Sequence, residues 1–75
     1  MNKISLINPS NSRYYVLTIN HNLFGEYEVI TSRGSHKRKS IMKYIPFASF
    51  DEAISKYKEL VKLRNKHGYI ENTNL

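Results

Sequence analysis

The sequence has 75 residues, and its 12 Lys and Arg outnumber its 6 Asp and Glu, which gives a formal net charge of +6 at pH 7. A chain this short buries only about 60% of its unfolded surface, which excludes a large enzyme with an internal cleft. The sequence contains no cysteine, and because small secreted domains usually depend on disulfides or a metal, we expect a single intracellular domain over residues 1–75.

The first two predicted elements are strands. Residues 4–7 are rich in β-branched and aliphatic side chains, and the Asn-Pro-Ser-Asn cluster that follows them favours a turn. Residues 13–20 alternate between two faces, with Tyr15, Leu17 and Ile19 on the same side. This alternation predicts a strand with one apolar face.

Two further strands are predicted at residues 27–31 and 41–47. The short linker before residue 27 favours antiparallel pairing with the preceding strand. Pro46 lacks a backbone donor, so the fourth strand belongs at an edge of the sheet or ends there. Residues 33–39 are too polar and too charged for a core strand, and we expect them to form an exposed loop or a protruding hairpin.

The last third of the sequence predicts one helix. Ser49 is a suitable N-cap, Glu52 can reach back to the Ser49 amide, and Gly68 suits the left-handed position that ends a helix. The residues between them include an apolar stripe at helical spacing. The stripe comprises Phe50, Ala53, Ile54, Tyr57, Leu60 and Val61.

Strands followed by a helix predict an α+β domain, a small antiparallel sheet of about four strands with one C-terminal helix packed on it. Residues 69–70 are expected to fold back onto the core. Residues 71–75 are expected to be a frayed tail.

The positive charge is concentrated in residues 33–43, which contain five cations and no acid. The serines of this segment supply hydroxyl donors, and Gly34 lets a backbone approach closely. Together with the cations they are suited to phosphate contacts. A solvated loop kept soluble by its charge is the alternative. The candidate nucleic-acid-binding residues are Arg33, Gly34, Ser35, Lys37, Arg38, Lys39 and Lys43.

Other basic and aromatic residues carry weaker signals. The helix cations alternate with acids, so we interpret them as an ordinary solvated helix face: Lys56, Lys58, Lys62, Arg64 and Lys66. Tyr14 and Tyr44 occupy strand positions that face outward, which makes them the candidates for stacking on bases.

The sequence does not predict catalysis. His21, His36 and His67 fall in three different predicted loops, at no spacing that brings two of them to one metal. Ser35 and His36 are adjacent and point apart in an extended chain, so they are not a nucleophile and base. We therefore expect no catalytic residue, no metal site and no cofactor.

Several separated segments together resemble the WGR domain family over about residues 12–70. In order, they are Arg13-Tyr14-Tyr15, Asn22-Leu23-Phe24-Gly25, Tyr27-Glu28-Val29, Pro46-Phe47, Asp51-Glu52-Ala53 and Lys66-His67-Gly68-Tyr69. The resemblance implies a small twisted antiparallel sheet with one helix against it. WGR domains occur in poly(ADP-ribose) polymerases, where they bind DNA at breaks and relay that binding to a catalytic part, and in short bacterial proteins. The resemblance implies a stand-alone binding module here.

The chain departs from the family at the triplet that names it. The Trp-Gly-Arg positions fall on Arg33-Gly34-Ser35, so the glycine alone is retained, and the glycines that usually follow are replaced by Lys37 and Ser40. In the family the indole packs against the DNA end and the arginine meets the backbone. Here a guanidinium at Arg33 can stack or bind phosphate, and the Lys37-Arg38-Lys39 run supplies further phosphate affinity.

These observations predict a nucleic-acid-binding protein that favours duplex DNA and uses residues 33–43. The alternative is a protein-interaction module that has lost DNA binding and docks an acidic partner through its sheet edge or basic loop. No apolar run approaches the roughly 18 residues of a membrane span, and the first residues lack the apolar stretch of a signal peptide. We expect a cytoplasmic protein, with nucleoid association as one possibility.

Overall fold

The computed structural model describes residues 3–35 and 38–71, and for residue 38 the backbone alone. It confirms the α+β class, with one helix packed on an antiparallel sheet whose strand order is β4-β3-β2-β1-β5. The sheet has five strands, because two residues after the helix pair with β1. The elements are β1 (Lys3–Asn8), β2 (Arg13–His21), β3 (Tyr27–Ser35), β4 (Arg38–Phe47), α1 (Phe50–Lys66) and β5 (Ile70–Glu71).

The core lies between α1 and one face of the sheet. As the alternation predicts, Tyr15, Leu17 and Ile19 are all buried on that face. The apolar stripe of α1 packs against them, and Ala53 at its centre is completely buried. The buried apolar residues form two adjoining clusters, Leu6, Tyr15, Leu17 and Tyr69 in one and Ile19, Val29 and Ala53 in the other.

Both ends of α1 are where the sequence predicts them. Ser49 is the N-cap, and its Oγ accepts a hydrogen bond from the Glu52 amide at 3.3 Å. The Glu52 carboxylate accepts from the Ser49 hydroxyl at 3.1 Å, whereas the sequence predicts a bond to the Ser49 amide. Gly68 has a φ of +92°, the left-handed conformation that ends many helices.

The expectation of an exposed loop at residues 33–39 is wrong, and its alternative, a protruding hairpin, is correct for the described part. β3 continues to Ser35 and β4 begins at Arg38. The ladder shifts register between Arg33 and Ser35. Polar residues can extend a hairpin because backbone bonds form the ladder and the side chains can remain solvated. Residues 36 and 37, which include the site residue Lys37, lie outside the described residues, as do residues 72–75 of the expected tail.

The histidine assignments also need a correction. His21 ends β2 and is not in a loop, and its ring stacks on Tyr27 with centroids 4.5 Å apart. His67 is the C-cap of α1, and His36 lies outside the described residues. Nowhere in residues 3–35 and 38–71 do three or more His, Asp or Glu side chains gather in a way that would hold a metal ion. Within the same residues, α1 is too short and too polar to cross a membrane.

Candidate nucleic-acid interface

The strands β3 and β4 carry the predicted site residues, and their register divides these residues between the two faces of the sheet. Arg33 pairs with Ile41, and Thr31 pairs with Lys43. Because side chains alternate along a strand, all four lie on the face that α1 covers in part. Gly34 lies on the opposite face. We call residues 33–43 the basic hairpin.

Arg33 and Lys43 meet α1 across a groove of about 200 Å³. Lys56 and Arg64, two turns apart on α1, line its other side, and Leu60 lies between them. Four cations from three elements therefore surround one concavity, which we call the basic groove. Its remaining lining residues are Tyr15, Thr31, Ile41 and Ile45.

The charge of the basic groove is not balanced locally. No Asp or Glu is among the described residues that line it. One of its cations, Lys56, forms an ion pair with Glu59, whose Oε2 is 3.8 Å from the Lys56 Nζ. That ion pair joins neighbours on an exposed helix surface, where such pairs contribute little. The groove therefore favours anions.

Arg64 is held in the groove by aromatic rings. Its Cζ lies 4.1 Å from the centroid of the Tyr15 ring and 5.9 Å from that of Tyr69. The two rings meet edge to face with centroids 6.2 Å apart. The Arg64 Nε is buried and has no hydrogen-bond partner among the described residues. Stacking on Tyr15 fixes the guanidinium plane and leaves its donors for another group.

Gly34 is explained by close packing within the sheet. A Cβ added at this position would lie 2.8 Å from the Tyr14 Oη and 3.2 Å from the Ser40 Cα. Gly34 pairs with Tyr14 in the ladder, and the Tyr14 side chain crosses it. The space that the absent Cβ leaves at Gly34 is therefore occupied by Tyr14 and Ser40 of the same chain.

The other predicted site residues are dispersed along the basic hairpin. Lys39 and Lys43 are exposed on β4. Ser35, at the end of β3, is half-buried and pairs with Arg13, which is exposed. Lys37 and the Arg38 side chain lie outside the part of the chain that the structure describes.

Sequence reasoning missed three cations near the predicted site. Arg13 was not included because the charge of residues 1–32 balances. Lys56 and Arg64 were interpreted as part of a uniform solvated helix face. The signal that was missed is the spacing along the helix. Residues 56, 60 and 64 repeat every four positions and therefore share one side of α1. Residues 58, 62 and 66 lie about 200° away around the helix axis.

The two stacking candidates lie on the sheet face opposite α1. Tyr44 is more than half exposed, and Tyr14 is half-buried over Gly34. Register puts Ile30 and Met42 on the same face. No described element covers this face, so Tyr44 is accessible to a ligand.

Comparison with known proteins gives one match. The family model described as WGR domain matches residues 1–75. No curated protein and no solved structure matches the chain.

Proposed function

The chain belongs to the WGR domain family, and we propose that it binds nucleic acid, with duplex DNA as the favoured form, through the basic hairpin. The family is associated with nucleic-acid binding and is a binding family, not a catalytic one. The observation that carries the proposal is the convergence of Arg33 and Lys43 with helix cations around a concavity whose described lining has no acid.

Each residue of the basic hairpin has a role in this proposal. Exposed lysines such as Lys39 and Lys43 contact phosphates, and Lys37 and Arg38 extend the same run of charge. Arg33 lies against a sugar or a base. Ser35 and the Gly34 amide fix the register of the backbone. Phosphate contacts of this kind supply affinity and orientation without reading sequence.

The departure from the family triplet limits what the interface recognises. Arg33 and Ser35 stand where the family has tryptophan and arginine, so there is no indole to pack on a DNA end. A guanidinium binds phosphate or donates hydrogen bonds to a base edge at any point along a duplex. The proposal therefore rests on charge, and any preference for a DNA end has to come from Arg33.

The test is fluorescence anisotropy of the protein with four labelled probes at two salt concentrations. The probes are a blunt DNA duplex, a DNA hairpin closed at its end, a single strand and an RNA duplex. We expect salt-sensitive, submicromolar binding to the DNA duplex. Tighter binding to the blunt end than to the closed hairpin would assign end recognition to Arg33. Weak binding to all four probes would contradict the proposal.

A second candidate function is docking of an acidic protein segment on β4. The observation that favours it is the exposed outer strand: Ile41, Met42 and Tyr44 are all more than half exposed. β4 has no strand partner on its outer side among the described residues. An extended acidic segment can pair with such an edge while its carboxylates meet Lys39 and Lys43. This candidate predicts no duplex affinity at physiological salt and a protein that co-purifies, so a pull-down without a partner would count against it.

A further inference from the structure

The basic groove has properties that the basic hairpin alone does not explain. Half of its cations come from α1, and it lies at the seam between α1 and the sheet. We propose that the basic groove is a discrete site for one phosphate group, with Arg64 as the central donor. The proposal does not rest on nucleic-acid binding, because a phosphate of a duplex and a free phosphate present the same oxygens.

Arg64 is built to bind an oxyanion. Its Nε is buried and without a partner among the described residues, and most buried N–H groups in folded proteins are hydrogen-bonded. Because the Nε itself is buried, a phosphate in the groove takes its two parallel hydrogen bonds from the two Nη groups at the end of the guanidinium. The ring of Tyr15, 4.1 Å away, already fixes the orientation of the guanidinium, so little freedom is lost when the anion binds.

The other three cations reach the same concavity from separate directions. Arg33 is on β3, Lys43 is on β4, and Lys56 is two turns before Arg64 on α1. Like charges around a concavity with no carboxylate among its described lining residues repel one another, and an anion among them relieves that repulsion. Thr31, which is only 4% exposed, adds a hydroxyl in the groove lining.

The size and charge of the groove suit a tetrahedral oxyanion such as phosphate. Its volume of about 200 Å³ is several times the roughly 30 Å³ that a water molecule occupies in the liquid. Donors on three sides suit a tetrahedral anion, whereas a planar carboxylate is satisfied by the fork of one arginine. A larger, shallower depression of about 460 Å³ shares Lys56 with the groove but is also lined by Asp51, Glu52 and Glu59, so its net charge is negative and does not suit an anion.

The first experiment follows the Arg64 side chain directly. Inorganic phosphate is titrated into the ¹⁵N-labelled protein while chloride keeps the ionic strength constant, and the Nε–Hε signal of each arginine is recorded by NMR. We expect a saturable shift of the Arg64 signal with a much smaller change at Arg13. A shift that is linear in phosphate, or equal at both arginines, would overturn the proposal.

Two variants and a matched control test the residues of the site. Lys56→Gln should weaken phosphate binding by about fivefold, and Arg64→Lys, which keeps the charge and loses the fork, by about tenfold or more. Lys58→Gln removes the same charge from the other side of α1 and should change the affinity little. Equal losses in Lys56→Gln and Lys58→Gln would overturn the proposal. Because Lys56 is at the helix surface, this comparison holds even if Arg64→Lys fails to fold.

Competition identifies the source of the phosphate and separates this proposal from the previous one. Phosphate at constant ionic strength should displace a labelled duplex from the wild-type protein if the groove holds a nucleic-acid phosphate. Saturable phosphate binding without displacement supports a site for a free phosphate group. Saturable phosphate binding in a protein with no duplex affinity would contradict the proposed function and support the phosphate site in the basic groove. Duplex binding with no saturable response at Arg64 would support the proposed function and contradict the phosphate site in the basic groove.

Discussion

Gly34 is a position where close packing within the sheet favours glycine. The space beside it is filled by the Tyr14 hydroxyl and the backbone of Ser40. The tyrosine can move aside, because the contact is at the far end of its side chain. The Ser40 contact is with backbone in β4, which cannot move as easily as the end of a side chain.

We predict that Gly34→Ala lowers the free energy of unfolding by about 1 kcal/mol, the lower end of the cost of overpacking. Denaturant unfolding monitored by circular dichroism measures the change. Adding Tyr14→Phe should recover part of the loss, because it removes the atom that lies 2.8 Å from the new Cβ. Equal stability of the wild type and Gly34→Ala would show that the packing is looser than the structure indicates.

Tyr57 makes stability depend on pH in the alkaline range. Burial raises the pKa of Tyr57 above its ordinary value of 10.0, and the negative charge of Glu71 adds to the rise. The folded state therefore holds this proton more tightly than the unfolded state. Its contribution to stability is complete below the unfolded pKa and is lost as the pH rises through the folded pKa.

We predict that the difference in unfolding free energy between the wild type and Tyr57→Phe changes above about pH 10, with the wild type losing more. Urea unfolding at pH 8 and at pH 11 measures it. Because the other tyrosines are common to both proteins, their titration cancels in the difference. A difference that is the same at both pH values would contradict the raised pKa.

At the scale of elements, Asn8 links the β1–β2 turn to the end of α1. Its side chain is 7% exposed. The Nδ2 donates to the His67 carbonyl at 3.3 Å, and the Oδ1 accepts from the Ser10 amide at 3.0 Å. One side chain thus connects two elements that are 59 residues apart in sequence.

We predict that Asn8→Ala costs about 2 kcal/mol, because it removes two part-buried hydrogen bonds that contribute about 1 kcal/mol each. Asn11→Ala is the matched control: the Asn11 Oδ1 accepts from the Arg13 amide in the same turn, but the bond is exposed, so its loss should cost less than about 1 kcal/mol. Thermal unfolding of both variants measures the costs. Similar losses would mean that the turn itself, and not its link to α1, is what Asn8 stabilises.

The elements themselves were largely predictable from local signals. Ser49 and Gly68 mark the ends of α1, and alternation along residues 13–20 identifies the buried face of β2. The extension of β3 to Ser35 was predicted only as the alternative to a loop, and the short β5 was not predicted. Strand pairing with a neighbour decides both, and that pairing involves distant residues which local propensity does not report.

At the scale of the whole molecule, the sequence shows where positive charge is dense along the chain. It does not show which cations lie close together in the folded structure. The run at residues 33–43 is visible in one dimension. The contribution of Lys56 and Arg64 depends on the crossing of α1 over β3 and β4, which brings strand and helix cations that are 13 to 31 positions apart to one groove. The division of the site between two sheet faces likewise depends on the register that pairs Arg33 with Ile41.

This arrangement predicts that the position of a charge matters more than the net charge of +6. The hairpin variant Arg33→Gln/Lys39→Gln/Lys43→Gln removes three cations from the proposed interface. The helix variant Lys58→Gln/Lys62→Gln/Lys66→Gln removes three from exposed positions on the other side of α1. Both variants have the same net charge, so any difference between them reports where nucleic acid lies.

The most direct measurement is the slope of log affinity against log salt concentration for a DNA duplex, for the wild type and both variants. If the five cations of the basic hairpin each neutralise a phosphate, the wild-type slope is about −4.5. We predict that the hairpin variant flattens it by about 2.7 and the helix variant by less than about 0.9. Equal flattening by the two variants, or an unchanged slope in the hairpin variant, would contradict binding through the basic hairpin.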